Sequence, residues 1–136
     1  MQANEFQIGG KHYKIPYEHW DMVIDSDMPY VLGCATKYVS RWRDKNGVED
    51  LKKSLHYIQK ADENNIYLMK TNWLGRYRNK ELEKLDYVRK FSSQLNPKDG
   101  FLINTIANGL YSKVITIIQD MIEEIENGPN SHYIRG

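Results

Sequence analysis

With Cys34 as its only cysteine, the 136-residue chain can form no internal disulfide and no cysteine-based metal cluster, and a reducing cytoplasm is the expected compartment. A surplus of charge is missing too. Nineteen Lys and Arg face 18 Asp and Glu, leaving a net charge of +1, so double-stranded nucleic acid is not an expected partner. No long apolar run exists either. The longest, VITIIQDMI, is interrupted by Thr116, Gln119 and Asp120, which excludes a membrane-spanning helix. The opening MQANEFQ lacks the apolar centre of a secretory signal.

The usual catalytic signatures are also absent. GGK at 9–11 is followed by His12, with no glycine four residues upstream and no Ser or Thr after the lysine, so a standard phosphate loop is not encoded. There is no dinucleotide-binding glycine pattern, no HExxH, no EF-hand loop and no legible Ser/His/Asp triad. DSD at 25–27 reads as solvated capping residues, and no metal site or obligatory cofactor is expected.

What is present is helical patterning. Pro16 opens a helix through YEHWDMVIDS; Asp27 and Pro29 then start YVLGCATKYVSRWRD. KNG at 45–47 is a turn, and VEDLKKSLHYIQKADEN follows with Val48, Leu51, Leu55 and Ile58 as a core stripe. Residues 66–78 carry a weaker signal, a short helix or an irregular segment. NKELEKLDYVRKFSSQL is helical again, and Asn96–Pro97 is a cap followed by a first-turn proline. A last helix carries Ile103, Ile106, Leu110, Val114, Ile117, Met121 and Ile125, spaced by three or four throughout. Gly100 and Gly109 weaken it by roughly 1 kcal/mol each. The expected fold is mainly α, a small helical domain with a long C-terminal amphipathic helix. That helix packs on its neighbours or forms an interface in a homo-oligomer, since a coiled-coil seam has the same spacing. Residues 1–63 form one module, and 64–136 a helical extension within a single domain.

The chemistry gathers in the first 60 residues. Lys11, His12, Tyr13, Lys14 and Trp20 precede Lys37, Tyr38, Arg41, Trp42 and Arg43. Lys37 and Arg41 lie one helical turn apart on the stripe begun by Gly33, where they can hold phosphate oxygens. Gly9 and Gly10 let a ligand approach the backbone, and Tyr13, Tyr38 or a tryptophan can stack on a base. The plainer reading of the same residues is a solvated basic face beside a turn.

Three blocks then stand in order: GGKHY at 9–13, GCATKYVSR at 33–41 and EDLKKSLHY at 49–57. Over residues 8–62 the chain resembles a small phage domain catalogued as a domain of unknown function, one member of which is described as a nucleoside monophosphate kinase. The family pattern is GGxHY, GNxxKYxxR and EDLxKAxxY. Cys34 replaces the asparagine of the second block, and Ser54 the alanine of the third, so any hydrogen bond from that amide is lost or replaced.

The resemblance implies a phage accessory protein in the host cytoplasm, a kinase-like phosphotransferase without a phosphate loop, with ATP or another nucleotide as its ligand. In it, Gly9, Gly10, Lys11, Tyr13, Lys37, Tyr38 and Arg41 bind the nucleotide, His12 moves a proton and Asp50 orients His12 or a lysine. Asp50 has a plainer role as the negative charge in a helix's first turn, and His12 as a turn residue. A non-catalytic oligomer that sequesters a nucleotide against host defence needs the same cradle without the acid or base. A third reading, an inhibitor of a host protein, uses the tyrosine-rich surface instead.

Overall fold

The computed structural model describes residues 15–128, which form six α-helices and no strand longer than a single bridge. They are α1 (His19–Asp25), α2 (Tyr30–Arg41), α3 (Val48–Glu63), α4 (Asn79–Ser92), α5 (Pro97–Ala107) and α6 (Tyr111–Asn127). The mainly-α expectation holds, and the last helix is an amphipathic one of 17 residues.

Helices α2 and α3 form a hairpin across the 42–47 turn, where Gly47 takes φ 57° and its N–H donates to the Trp42 carbonyl at 2.9 Å. Helix α6 packs on α3, α5 on α2 and α6, and α4 on α5 and α1. Helix α5 is central. Asp99, Gly100, Leu102, Ile103, Thr105, Ile106 and Ala107 are all buried, with Phe101 its exposed large hydrophobic. Around it close Leu32 and Val39 of α2, Leu51 and Ile58 of α3, Val88 and Phe91 of α4, and Val114 and Ile118 of α6. Each such aliphatic side chain contributes roughly 1.5–3 kcal/mol by leaving water.

Three helices end in the same way, with one left-handed residue and paired bonds back into the last turn. In α1 that residue is Asp27 (φ 51°), where Asp27 N–H reaches the Ile24 carbonyl and Met28 N–H the Val23 carbonyl. Asn65 does this for α3 and Gly109 for α5. Asp27 therefore closes α1 rather than opening α2, whose N-cap is Pro29.

Gly109 divides the stripe read from sequence as one helix. At φ 76° it ends α5, and α6 restarts in a new register. The buried face of α6 is Tyr111, Val114, Ile118, Met121 and Ile122, whereas Leu110 and Ile125 are exposed. Among the described residues no helix is long and apolar enough to cross a membrane.

Candidate functional site

Helix α2 presents its polar face between two adjoining clefts, each of about 500 Å³. Glu18, His19 and Lys37 belong to both. One cleft is aromatic, walled by Trp20, Tyr30, Tyr38 and Tyr57, with Gly33 and Cys34 among its lining residues. The other is basic, with Lys37, Arg41, Arg43 and Lys45 facing Glu18, Asp44 and Asp99. Ile15, the residue that follows the GGKHYK segment, lines this second cleft.

The 33–41 stripe forms the ridge between them. Tyr38 stacks on Tyr57 of α3, centroids 6.0 Å apart and planes 12° from parallel. Three cations surround the Tyr38 ring: Arg41 at 5.1 Å, Lys53 at 5.3 Å and Lys37 at 5.8 Å from its centroid. A ring face attracts each of them, but their mutual repulsion favours an anion alongside.

Lys37 pairs with no carboxylate among the described residues. Arg41 and Arg43 are anchored instead. The Arg41 Nε donates to Asp50 Oδ2 at 3.2 Å, and Asp50, fully buried, also accepts from the Asn46 backbone N–H at 3.2 Å. Arg43 grips buried Asp99 through two nitrogens at 2.8 and 3.2 Å, and Trp42 Nε1 donates to the same carboxylate at 3.1 Å. These bonds hold the basic turn against α5.

Of the site residues read from sequence, Lys37, Tyr38 and Arg41 thus converge, with Asp50 directly behind Arg41. Gly9, Gly10, Lys11, His12 and Tyr13 lie outside the described residues. Sequence reasoning passed over His19, Tyr30 and Lys45. His19 carries no periodic signal of its own, since it reaches both walls only through a tertiary contact, its hydrogen bond to Thr36 of α2. Among the described residues no three His, Cys, Asp or Glu side chains cluster as a cation site.

His19 illustrates the cost of lining such a cleft. His19 Nε2 shares a hydrogen bond of 2.8 Å with the Thr36 hydroxyl, which also lies 2.9 Å from the Leu32 carbonyl, while Phe91 meets the ring edge-on at 5.5 Å. Burial, with Lys37 adding to it, pulls the His19 pKa down to about 4, so the ring is neutral in the folded protein. The unfolded chain takes up a proton near pH 6.5 that the folded chain refuses until about 4. Stability therefore falls as pH drops through that window and levels off below it, a loss of about 3 kcal/mol at 1.36 kcal/mol per pH unit. Denaturant unfolding across the window should show the decline, and the His19→Gln variant should lack this share of it.

Among the described residues, six helices with a cationic and aromatic ridge define the class: a small all-α protein with a candidate anion-binding face. Residues 9–59 match the family described as a protein of unknown function (DUF3310), a span that holds all three sequence blocks, α2 and most of α3. No curated protein and no solved structure matches the chain.

Proposed function

We propose that the chain is a nucleotide-binding phage protein that works on phosphates. The base enters the aromatic cleft, and the phosphates pass over Lys37 toward Arg41 and Arg43. The observation that carries this reading is Lys37, a cation without a carboxylate partner among the described residues, set where a stacking wall meets a basic one. A phosphate there relieves the crowding of Lys37, Arg41 and Lys53 around Tyr38.

Transfer between two nucleotides is the activity we assign to it. Phosphoryl transfer needs positioning and charge neutralisation more than covalent chemistry. A nucleotide whose base lies in the aromatic cleft presents its phosphates to the basic one, where Arg41, Arg43 and Lys45 can receive the phosphates of a second nucleotide. His12 is the proton carrier in this proposal. A second reading, sequestration without turnover, is favoured by the commitment of Asp50 and Asp99 to arginines and by the neutral, bonded state of His19.

The test is incubation with ATP and each nucleoside monophosphate, with and without EDTA, together with equilibrium binding. Diphosphate formation is expected, and Lys37→Ala should weaken nucleotide affinity about tenfold, the loss of one charge-assisted contact. Retention of nucleotide without product would select sequestration. Neither product nor retention would overturn both readings.

A further inference from the structure

Residues 64–80 contain Lys70, Arg76, Arg78 and Lys80 and no carboxylate, although the whole chain is nearly neutral. The same stretch holds Tyr67, Trp73 and Tyr77, which are 40, 89 and 47% exposed. A tryptophan that open is unusual, because burying its ring is a large source of stability.

The segment is built to hold these groups in place. Asn72 to Gly75 form a tight turn: Gly75 N–H donates to the Asn72 carbonyl at 2.9 Å, and Gly75 takes φ 75°. The Asn72 Oδ1 accepts from the Leu74 and Arg76 N–H groups at 2.9 and 3.1 Å, and Thr71 bridges antiparallel to Tyr77. This is a three-residue hairpin with a glycine bulge, and Trp73 is at its tip.

A lone hairpin is marginal in water, but this one is tied to α4. Lys70 N–H donates to Glu81 Oε1 at 2.7 Å, and Lys84 Nζ donates to the Leu68 carbonyl at 3.1 Å, with Leu68 buried beneath. Beside the hairpin runs a groove of about 420 Å³ walled by Tyr67, Tyr77, Lys70 and Asn65. Tyr67 is fixed in that wall by stacking on Tyr111 at 5.3 Å, and it leaves no room for a side chain at Gly109. Arg76, Arg78 and Lys80 form no ion pair among the described residues.

From this juxtaposition we infer that the hairpin is a docking site for single-stranded nucleic acid, separate from the α2 clefts. Unpaired cations match a phosphate backbone, and open ring faces beside them match unpaired bases, which stack on aromatics without regard to sequence. A duplex hides its base faces and offers little to this surface. An acidic protein would satisfy the charges and leave the rings without a partner.

The probe is a short fluorescein-labelled oligothymidylate, read by anisotropy over a range of salt. Binding should weaken with salt at a log–log slope of about −2 to −3, as three or four phosphate contacts require. Trp73→Ala should cost roughly tenfold in affinity, and Arg76→Ala with Arg78→Ala should lower both affinity and slope. Both changes lie at exposed positions, so unchanged circular dichroism is expected. Lys37→Ala should leave this binding intact, which keeps the result independent of the nucleotide reading. The inference is overturned by no binding at low salt, by equal affinity for a duplex, or by affinity that Trp73→Ala leaves unmoved. A change confined to self-association would also overturn it, in favour of a second copy on the hairpin.

Discussion

Gly100→Ala should cost about 2 kcal/mol of stability, whereas Gly33→Ala should cost nothing or add up to about 1 kcal/mol. Both glycines are inside helices, and both exchanges gain roughly 1 kcal/mol of helix propensity. They differ in what a methyl group would meet. At Gly100 a Cβ would stand 2.6 Å from the Ser92 carbonyl oxygen, a backbone atom at the end of α4. That oxygen accepts the Leu95 N–H at 3.1 Å, and the Ser92 hydroxyl accepts from Asn104 Nδ2 at 2.9 Å, so moving it breaks the α4–α5 joint. Overpacking against a backbone atom this close lies at the upper end, about 3 kcal/mol, which leaves a net loss of about 2 kcal/mol after the propensity gain. At Gly33 the nearest atom is a Val23 methyl carbon at 3.7 Å, an ordinary contact. Urea unfolding of the two variants beside the parent measures the contrast. Equal stabilities would mean that α4 and α5 do not cross at Gly100.

Most of the helices were legible because their signals are local. Asn96 followed by Pro97 marks the start of α5, and the Asn96 side chain does accept the Lys98 N–H at 2.9 Å. The stripe of Val48, Leu51, Leu55 and Ile58 faces the core as its spacing requires. The register of α6 was not legible. A pattern of threes and fours runs unbroken through Leu110, but the chain turns at Gly109, where a left-handed residue closes α5. Periodicity alone cannot tell a weak glycine inside a helix from one that ends it. The break shows in the left-handed Gly109 and its bonds back into α5, and the Tyr67 ring, from a segment of faint helical signal, packs against that glycine.

The candidate site was legible as a stripe but not as a cleft. Helical spacing brings Lys37 and Arg41 to one face, and the block EDLKKSLHY marks α3, which supplies Asp50 and Tyr57. What α1 adds depends on the packing of α1 on α4 and on the bond from His19 to Thr36, and no spacing within a helix encodes either. Cys34 gains meaning only from the fold. It lines the aromatic cleft beside Tyr30 and Tyr57 and pushes both phenols above their ordinary range.

Arg41→Ala should remove about 3 kcal/mol of stability and abolish nucleotide binding, and these two losses have different origins. Asp50 has no exposure, and Arg41 is the cation that offsets its burial. Removing one partner of a buried pair costs about 3–5 kcal/mol. The lower end applies because Arg41 is itself partly exposed and Asn46 still donates to Asp50 from its backbone and side chain. Circular dichroism and urea unfolding measure the first loss, and isothermal titration with a nucleotide the second. A double variant separates them. Arg41→Ala with Asp50→Asn leaves no buried charge to be offset, so it should regain most of the lost stability. It should not regain the nucleotide, because the guanidinium that faces the basic cleft is still missing. Recovery of both in the double variant would reduce Arg41 to a partner for Asp50. Phosphate recognition would then rest on Lys37 and on the cations of the 42–47 turn.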